Sequence, residues 1–272
     1  MQYFAVMGNP IAQSKSPFIH HMFAAQAGVD IQYDAILVEK HLFKEAVADF
    51  FSKKNHIGLN VTTPFKEEAF ALADELTDEA KTAGAVNTLY KTVNGLLGHN
   101  TDGPGLMQDI LRQDQALKDK RILLIGAGGA ARGVIMPFIN QHVASIHIVN
   151  RNVQRARELV QAFSHKKLTA GGFDSVRNER YDVIVNATTL SLQKQLPDVP
   201  KNLYQNIEMA YDMVYLPGQT AFMQQAMKAG AKTCSDGLGM LVGQAAKSFE
   251  LWTGQRVNTT PVLEALRLEL NR

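Results

Sequence analysis

The chain of 272 residues is 46% hydrophobic and 20% charged, a composition typical of ordinary globular proteins, and it is long enough for two modest domains. The formal net charge of +2 is too small to indicate a nucleic-acid or membrane partner. No apolar run is long enough for a membrane span, and the first residues lack the features of a secretory signal, so we expect a cytoplasmic protein. The single cysteine, Cys234, excludes an internal disulfide and a Cys-rich metal site; we expect no metal and a buried, inert thiol.

Strand and helix patterns alternate in the first part of the chain. The predicted strands are residues 3–7, 31–38, 57–61 and 83–89, and the predicted helices are residues 17–27, 42–51 and 67–75. Gly28 should stop the first helix, and residues 90–98 predict a β-hairpin with Asn94-Gly95 as its type I′ turn.

The segment Ser14-Lys15-Ser16-Pro17 stands at the entrance of the first predicted helix. A serine followed by proline is typical of an N-cap and the first helical residue, which explains Ser16 and leaves Ser14 unexplained. Hydroxyls and free backbone N–H groups at a helix entrance would also suit a small anion or a polyol. Capping and ligand contact are therefore both open for this segment.

Polar side chains follow the third predicted strand. Asn60 and Thr62 lie where open α/β sheets place their ligand sites. Lys66 begins the next helix, where its charge opposes the positive end of the helix dipole, so it is either a solvated surface residue or serves another function. Asp102, which precedes a helical pattern at residues 106–112, fits an N-cap as well as a catalytic carboxylate.

The glycine-rich segment after residue 121 organises the second part of the chain. Residues 122–125 predict a buried strand, and Gly126, Gly128 and Ala131 follow it at the G-x-G-x-x-G/A spacing. In a dinucleotide-binding loop the first glycine permits the turn, the second admits the pyrophosphate, and the small third residue allows close helix packing. The alternative is a glycine-rich turn without a ligand.

Further strands and helices alternate after this loop. The predicted strands are residues 146–149, 182–185, 209–214 and 231–234, and the predicted helices are residues 154–163, 220–229, 240–252 and a last one from residue 261. This alternation predicts a parallel, right-handed, doubly wound α/β sheet. Gly103 and Gly105 mark the candidate crossover and hinge between the two domains.

The residues roughly 20 positions past the glycines indicate which dinucleotide would bind, because a Rossmann unit reads the adenosine ribose there. This chain has Asn150-Arg151-Asn152, with Arg155 one turn on, and no acidic residue in 149–154. Arginines favour a 2′-phosphate through charge-assisted hydrogen bonds, so NADP is expected rather than NAD. The alternative is a solvated basic face, which the helix dipole would disfavour at this end.

Seven motifs, in order over nearly the whole chain, resemble the signatures of the shikimate dehydrogenase family, closest to its NADP-dependent biosynthetic branch. They are Ser14-Lys15-Ser16-Pro17, Asn60-Val61-Thr62-Thr63-Pro64-Phe65-Lys66, Gly84-Ala85-Val86-Asn87-Thr88, Asn100-Thr101-Asp102-Gly103, residues 126–131, Asn186-Ala187-Thr188 and Asp236-Gly237-Leu238-Gly239-Met240-Leu241. The resemblance implies reversible reduction of 3-dehydroshikimate by NADPH to shikimate, in chorismate and aromatic amino acid biosynthesis.

The resemblance also implies two α/β domains with the active site in the cleft between them. The substrate domain is expected to be discontinuous, formed by residues 1–102 and completed by C-terminal helices within 238–272. The Rossmann-like, doubly wound NADP domain is expected at residues 103–237. The expected partners are the small molecules shikimate and 3-dehydroshikimate, without nucleic acid or membrane, and the protein is expected to be a monomer or a homodimer.

By motif position the resemblance assigns Lys66 and Asp102 as the catalytic pair, with the lysine either transferring the proton or mainly positioning and polarising the substrate. The substrate-binding residues it implies are Ser14, Ser16, Asn60, Thr62, Lys66, Asn87, Asp102, Tyr215 and Gln244. The cofactor-binding residues it implies are Gly126, Gly128, Gly129, Ala130, Ala131, Asn150, Arg151, Asn152, Arg155, Thr188, Met213 and Gly237.

Two segments depart from the family's pattern. Asn152 replaces the usual threonine beside the expected 2′-phosphate, and Thr189-Leu190-Ser191-Leu192 replaces a segment that usually contains Ser and Gly, which predicts a less flexible, more apolar loop. Two alternative functions are a quinate/shikimate dehydrogenase of broader substrate and cofactor range, and a non-catalytic NADP-binding sensor. A sensor would have no reason to retain Lys66 together with Asp102.

Overall fold

The computed structural model describes residues 1–176 and 179–271, and the chain forms two compact units. Unit 1 consists of Met1–Gly105 and Leu241–Leu266, and unit 2 consists of Leu106–Met240 with the segment from Arg267. That last segment differs from the expected assignment to the substrate domain. Within unit 2 the Arg267 guanidinium donates two hydrogen bonds to the Asp236 carboxylate, at 2.6 and 2.5 Å.

Unit 1 is built on a mixed six-stranded sheet in the order β2-β1-β3-β5-β6-β4. Its strands are β1 (Gln2–Gly8), β2 (Ile31–Leu37), β3 (His56–Val61), β4 (Glu75–Leu76), β5 (Thr88–Thr92) and β6 (Gly95–His99). Strand β1 is parallel to β2 and β3, whereas β5 is antiparallel to β3 and β6. The first helices are α1 (Ser16–Ala27), α2 (Phe43–Ser52), α3 (Lys66–Leu72) and α4 (Asp78–Ala83).

The sheet of unit 1 is covered on both faces, as the apolar patterns of its strands require. One core packs side chains such as Met7, Leu59 and Leu89 against Phe43 and Phe65. A second, aromatic cluster contains His20, Phe23, Tyr33, Phe249 and Trp252, which lie at ring-centroid distances of 4.2 to 6.4 Å. The late helix that carries Phe249 and Trp252 is therefore part of this unit's core.

Two predictions of strand and turn in unit 1 were wrong, and two short elements were missed. The small residues at 83–89 do not form one strand, because Ala83 ends α4, Gly84 caps it with φ +61°, and β5 begins at Thr88. The hairpin of β5 and β6 is present, but its connecting residues are Val93 and Asn94, and neither has the positive φ that a type I′ turn requires. Helix α4 and the two-residue β4 were not predicted, since both are too short for a periodic pattern.

Unit 2 contains a six-stranded, entirely parallel sheet in the order β12-β11-β10-β7-β8-β9. Its strands are β7 (Arg121–Ile125), β8 (Ser145–Val149), β9 (Leu168–Gly171), β10 (Val183–Asn186), β11 (Met209–Asp212) and β12 (Thr233–Ser235). This order is that of the doubly wound dinucleotide-binding fold, so the predicted architecture is confirmed. Strand β9 was not predicted, because Leu-Thr-Ala-Gly carries only one β-branched residue.

The remaining helices are α5 (Asp102–Arg112), α6 (Gly129–Asn140), α7 (Val153–Phe163), α8 (Ala221–Lys228), α9 (Leu238–Thr253) and α10 (Thr259–Leu270). The boundaries between the two units fall inside α5, α9 and α10. The sheet of unit 2 is buried on both faces: Ile122 and Leu124 of β7 belong to one core, and Leu123 and Ile125 belong to the other. Because successive side chains of β7 are buried on opposite faces of the sheet, the sequence of this strand is a continuous run of apolar residues.

Within the described residues, no helix is both long and apolar enough to cross a membrane. Cys234 is a free thiol of intermediate exposure, and burial raises the pKa of its thiol. The thiol is therefore less buried than the sequence-based expectation, although the direction of its pKa shift agrees with an inert role.

Candidate active site

Lys66 and Asp102 form an ion pair at the start of two helices of the fold. Lys66 is the first residue of α3 and Asp102 the first of α5, and the lysine Nζ donates to Oδ2 of the aspartate at 2.5 Å. Both side chains keep access to solvent, with 32% and 20% exposure. Asp102 is not the N-cap of α5, because it is already the first helical residue, and Asn100 Oδ1 accepts its backbone N–H at 3.1 Å. The carboxylate is thereby left for Lys66.

Asn87 links this ion pair to helix α9. Its Nδ2 donates to Asp102 Oδ1 at 2.8 Å, to Thr101 Oγ1 at 2.9 Å and, at 3.4 Å, to Gln244 Oε1. Its Oδ1 accepts the Thr101 backbone N–H at 2.9 Å. The structure therefore brings Lys66, Asn87, Asp102 and Gln244 together within unit 1.

The ion pair leaves proton donors for a ligand. An ammonium group carries three N–H donors, and in the described part of the chain the Lys66 ammonium donates only to Asp102. Asp102 accepts from Lys66 through one oxygen and from Asn87 through the other, and each oxygen has a second lone pair. The pair can donate to a carbonyl or alkoxide oxygen and accept from a neighbouring hydroxyl at the same time.

Asn60 contacts the backbone of Asn87, and both ends of its side-chain amide form hydrogen bonds. Its Oδ1 accepts the Tyr33 hydroxyl at 2.7 Å, and its Nδ2 lies 3.0 to 3.1 Å from the acceptors Asn87 O, Thr88 Oγ1 and Ser248 Oγ. The residue is only 5% exposed. These contacts give Asn60 a part in the framework that holds Asn87.

The two serines at the start of α1 have a different arrangement from the predicted one. Ser16 is not the N-cap: it is already the first helical residue, and the Ser14 hydroxyl oxygen accepts its backbone N–H at 3.3 Å. Ser14 thus has a local role that the sequence did not explain. Thr62 follows β3, and its backbone N–H donates to the carbonyl of Met7 in β1 at 3.0 Å.

Gly8 shows how closely the ends of β1 and β3 approach each other. A Cβ on Gly8 would overlap the methyl group of Thr62. Ser14 and Ser16 follow β1 in the chain, and Thr62 follows β3. All three hydroxyl-bearing residues thus come after the carboxyl ends of adjacent parallel strands, at the edge where α/β sheets bind ligands.

The glycine loop of unit 2 leaves an open cradle at the start of α6. Gly126 turns the chain with φ +113°, and Gly128 is the N-cap of α6 without a side chain to satisfy the first N–H groups. A Cβ built on Gly128 or Gly129 meets no atom within 4 Å, and both glycines are exposed together with Ala130. The first turn contains no acidic residue. An exposed helix N-terminus without a carboxylate fits a pyrophosphate.

The two other small residues of the loop have packing roles. Ala131 is fully buried in the core of unit 2. A Cβ on Gly126 would lie 3.2 Å from the carbonyl of Ala187, so the loops after β7 and β10 nearly touch. These two strands are neighbours at the point where the strand order reverses, which is where doubly wound sheets bind their ligands.

The residues after β8 supply an exposed basic group. Arg151 and Arg155 are both exposed, and neither is paired with an acidic side chain of residues 1–176 or 179–271. Asn152 Oδ1 caps α7 by accepting the Gln154 backbone N–H at 3.1 Å, and Asn150 Nδ2 donates to the Asn152 carbonyl at 2.9 Å. Two unpaired guanidinium groups beside an amide-capped helix start fit a phosphate.

The residues expected near the nicotinamide follow the strands β10, β11 and β12. The Thr188 hydroxyl donates to Asn186 Oδ1 at 2.7 Å, and the Met213 backbone N–H donates to the carbonyl of Asn186 at 2.9 Å. A Cβ on Gly237 would overlap the Met213 carbonyl, so packing requires a glycine at this position. Tyr215 is half-buried in the loop after β11.

Among residues 1–176 and 179–271 there is no group of three or more His, Cys, Asp or Glu side chains suited to a metal ion.

Three segments of the chain match parts of one enzyme family. Residues 6–89 match the shikimate dehydrogenase substrate binding domain, residues 107–195 match shikimate / quinate 5-dehydrogenase, and residues 237–267 match the shikimate 5'-dehydrogenase C-terminal domain. The chain is 48% identical over 267 residues to the shikimate dehydrogenase (NADP(+)) of Colwellia psychrerythraea, covering 98% of this chain and 97% of that relative. The chain belongs to the shikimate dehydrogenase family.

Solved structures support the same family and fold. The Ael1 enzyme of Pseudomonas putida superposes with a TM-score of 0.95 at 36% identity, covering 98% of both chains. The shikimate 5-dehydrogenase of Thermus thermophilus in complex with NADP(H) and shikimate superposes with a TM-score of 0.89 at 33% identity, covering 99% of this chain and 100% of that one.

Two departures of the chain from its family's pattern have structural explanations. Asn152 serves as an N-cap, a role that threonine also performs, so the replacement keeps the start of α7 intact. In the loop after Thr188, the segment Leu190–Gln193 forms a 3-10 turn with Ser191 fully buried and Leu192 57% exposed. Leu192 is thus an exposed apolar residue of this loop, and the buried Ser191 hydroxyl anchors the turn.

Ser248 and Asp212 have central positions that the sequence analysis missed. The Ser248 hydroxyl lies 2.8 Å from Thr88 Oγ1 and 3.0 Å from Asn60 Nδ2, and it donates to the Gln244 carbonyl at 3.1 Å. The signal for Ser248 was available, because a residue four positions after Gln244 lies on the same helix face. Asp212 had no comparable signal, because its partners lie on other segments of the chain.

Proposed function

We propose that this chain catalyses the reversible NADPH-dependent reduction of 3-dehydroshikimate to shikimate, a step of chorismate and aromatic amino acid biosynthesis. The observation that carries the proposal is the Lys66–Asp102 ion pair, held by Asn87 beside Gln244. The comparisons agree with the proposal. The 48% identical relative is named a shikimate dehydrogenase (NADP(+)), and one similar solved structure is a complex with NADP(H) and shikimate.

Reduction of a ketone requires a hydride at carbon and a proton at oxygen. NADPH, when bound, supplies the hydride. The Lys66 ammonium donates a hydrogen bond to the carbonyl oxygen and then its proton, and in the reverse direction the neutral amine accepts the proton. Asp102 holds the ammonium in place, and its free lone pairs accept a hydroxyl of the substrate ring.

The remaining polar groups of unit 1 suit an anionic, polyhydroxylated substrate. We assign Ser14, Ser16 and Thr62 to the carboxylate, because hydroxyls at the carboxyl edge of the sheet can donate to it. We assign Asn87 and Gln244 to the ring hydroxyls. Asn60 contributes by supporting Asn87, since its amide already has four protein partners.

The cofactor residues belong to unit 2. The N–H groups and small residues Gly128, Gly129, Ala130 and Ala131 would hold the pyrophosphate, and Gly126 shapes the turn before them. Asn150, Arg151 and Arg155 would hold the 2′-phosphate, with Asn152 fixing the helix start. Thr188, Met213, Tyr215 and Gly237 would surround the nicotinamide end and the substrate.

Absorbance at the nicotinamide band tests the proposal. The protein is mixed with shikimate or quinate and with NADP+ or NAD+, in all four combinations. We expect fast reduction of NADP+ by shikimate and much slower rates in the other three. Comparable rates with quinate or with NAD+ would favour a quinate/shikimate dehydrogenase of broader range, and no absorbance change over many protein equivalents would favour an NADP-binding sensor.

We further propose that the reaction takes place in the cytoplasm and that the enzyme is a monomer or a homodimer. Sedimentation at micromolar concentration distinguishes these two states.

A further inference from the structure

A buried carboxylate lies at the carboxyl edge of the sheet in unit 2, outside the residues assigned to the reaction so far. Asp212 is the last residue of β11, is fully buried, and stands opposite Asn186, the last residue of β10. Both strands belong to the half of the sheet that starts at the strand reversal beside the glycine loop.

Hydrogen bonds to the Asp212 carboxylate connect three segments of the chain. Its Oδ1 accepts Asn186 Nδ2 at 3.0 Å and the Val214 backbone N–H at 3.2 Å. Its Oδ2 accepts the Ser191 hydroxyl at 2.6 Å. The ends of β10 and β11 and the 3-10 turn Leu190–Gln193 are thereby tied to one side chain.

Asn186 connects Asp212 by hydrogen bonds to Thr188 and Met213, the two residues that we place beside the nicotinamide. Its Oδ1 accepts both the backbone N–H and the hydroxyl of Thr188, at 3.1 and 2.7 Å. Its own carbonyl accepts the Met213 backbone N–H at 2.9 Å. The orientation of the Asn186 amide is set by Asp212, because only the Nδ2 end can donate to the carboxylate.

The hydrogen bonds at position 212 suit a carboxylate better than an amide of the same shape. Burial raises the pKa of Asp212, and hydrogen bonds from Ser191, Thr220, Val214 and Asn186 oppose that shift. An ionised carboxylate only accepts hydrogen bonds, and these four residues all act as donors to Asp212. An asparagine of the same shape would turn one of these acceptors into a donor and misorient the groups around it.

We propose that Asp212 is a positioning residue for the nicotinamide end of the cofactor site, acting through Asn186 on Thr188 and Met213, with Ser191 fixing the adjoining 3-10 turn. The inference rests on the proposed function for the identity of the cofactor. It predicts that disturbing Asp212 weakens recognition of the nicotinamide half while leaving the adenosine half unchanged.

Calorimetric binding of two probes to the whole protein tests the proposal without turnover. NADP+ carries both halves of the dinucleotide, and 2′,5′-ADP carries only the adenosine half. For Asp212→Asn we expect the Kd for NADP+ to rise about 10- to 100-fold, the usual effect of losing an orienting hydrogen bond to a charged group. The Kd for 2′,5′-ADP should stay within about twofold of the parental value, which is the scatter expected for a site that is not perturbed.

Ser191→Ala and Thr189→Ala provide a matched pair on the same turn. The Ser191 hydroxyl is buried against Asp212, whereas Thr189 is exposed and its hydroxyl has no hydrogen bond to residues 1–176 or 179–271. Ser191→Ala should weaken NADP+ binding in the same direction as Asp212→Asn and add little to it in the double variant. Thr189→Ala should bind both probes like the parental protein. If Asp212→Asn fails to fold, Ser191→Ala decides the question.

Steady-state kinetics with shikimate separates positioning from general damage. We expect KM for NADP+ and kcat to change in Asp212→Asn and Ser191→Ala, with KM for shikimate unchanged. Equal weakening of NADP+ and 2′,5′-ADP, or parental NADP+ binding in both variants, would overturn the proposal. If the parental protein binds NADP+ but does not oxidise shikimate, the proposed function fails and the binding comparison still tests Asp212.

Discussion

The imidazole of His20 stacks on the ring of Tyr33, with centroids 4.2 Å apart and planes 7° from parallel. The Tyr33 hydroxyl in turn donates to Asn60, which supports Asn87 in the candidate active site. His20 is fully buried, and this burial lowers the pKa of its imidazole from 6.5 to about 3, against a smaller raising effect of Asn60. The stacked pair is thus neutral in the folded protein at physiological pH.

This burial predicts a loss of stability in acid. Below pH 6.5 the unfolded chain binds a proton at His20 that the folded chain does not bind until the pH reaches about 3. The free energy of unfolding should therefore fall as the pH drops from 6.5 towards 3, with a contribution of up to about 1.4 kcal/mol per pH unit.

Denaturant unfolding of two variants between pH 7 and pH 4.5 isolates this contribution. His20→Phe keeps a stacked ring without a titratable group and should show a flatter dependence than the parental protein. His21→Gln alters the neighbouring exposed histidine and should follow the parental curve. Parallel curves for His20→Phe and the parental protein would show that His20 does not titrate as described.

Arg151 and Arg155 should set the preference for NADP+ over NAD+. Each guanidinium is exposed and unpaired within the described parts of the chain, and a charge-assisted bond to a 2′-phosphate contributes about 1.5–3 kcal/mol. Replacing either arginine by alanine should lower kcat/KM for NADP+ about 10- to 100-fold and leave kcat/KM for NAD+ nearly unchanged.

Arg157→Ala is the control for this prediction, because Arg157 is exposed on the same helix and lies 200° around it from Arg155 at 100° per residue. It should affect neither cofactor. An equal decrease with NADP+ and NAD+ in the Arg151 and Arg155 variants would mean that these arginines do not read the 2′-phosphate.

Gly128 and Gly237 are expected to be required for different reasons. A Cβ on Gly128 meets nothing within 4 Å, so Gly128→Ala should fold normally but raise KM for NADP+ by about tenfold or more, as expected when the pyrophosphate loses one or two charge-assisted hydrogen bonds. A Cβ on Gly237 would overlap the Met213 carbonyl, so Gly237→Ala should lower the free energy of unfolding by about 1–3 kcal/mol.

Thermal unfolding and NADP+ kinetics of the two glycine variants distinguish these effects. The description of the loop would be wrong if Gly128→Ala lost stability, or if Gly237→Ala were as stable as the parental protein.

Local sequence signals predicted the elements that form from adjacent residues. The strand β7 and the glycine loop after it were recognised because a buried apolar run and three small residues at fixed spacing leave few alternatives. The same local reasoning failed at Ser16, since Ser14 two residues earlier can also reach the first N–H groups of α1. At Ala83, small residues fit a helix end and a strand equally well.

Long-range contacts explain what the sequence did not predict in the candidate site. Lys66 and Asp102 could be paired only through the family resemblance, because 36 residues separate them. The bond between Asn60 and Ser248 joins residues 188 positions apart, and Asp212 meets Asn186 across 26 positions. Such contacts depend on the strand order and the return of α9 to unit 1, which periodicity within a single segment does not encode.

The catalytic role of Lys66 is the central claim, and the kcat of Lys66→Ala with NADP+ and shikimate tests it most directly. Lys44→Ala, which alters an exposed lysine of α2, serves as the control, and thermal unfolding checks that both variants fold. We predict a decrease in kcat of about 10²–10⁴-fold for Lys66→Ala, the usual contribution of a general acid, and parental activity for Lys44→Ala. A folded Lys66→Ala variant with kcat within about twofold of the parental value would contradict the role assigned to the Lys66–Asp102 pair.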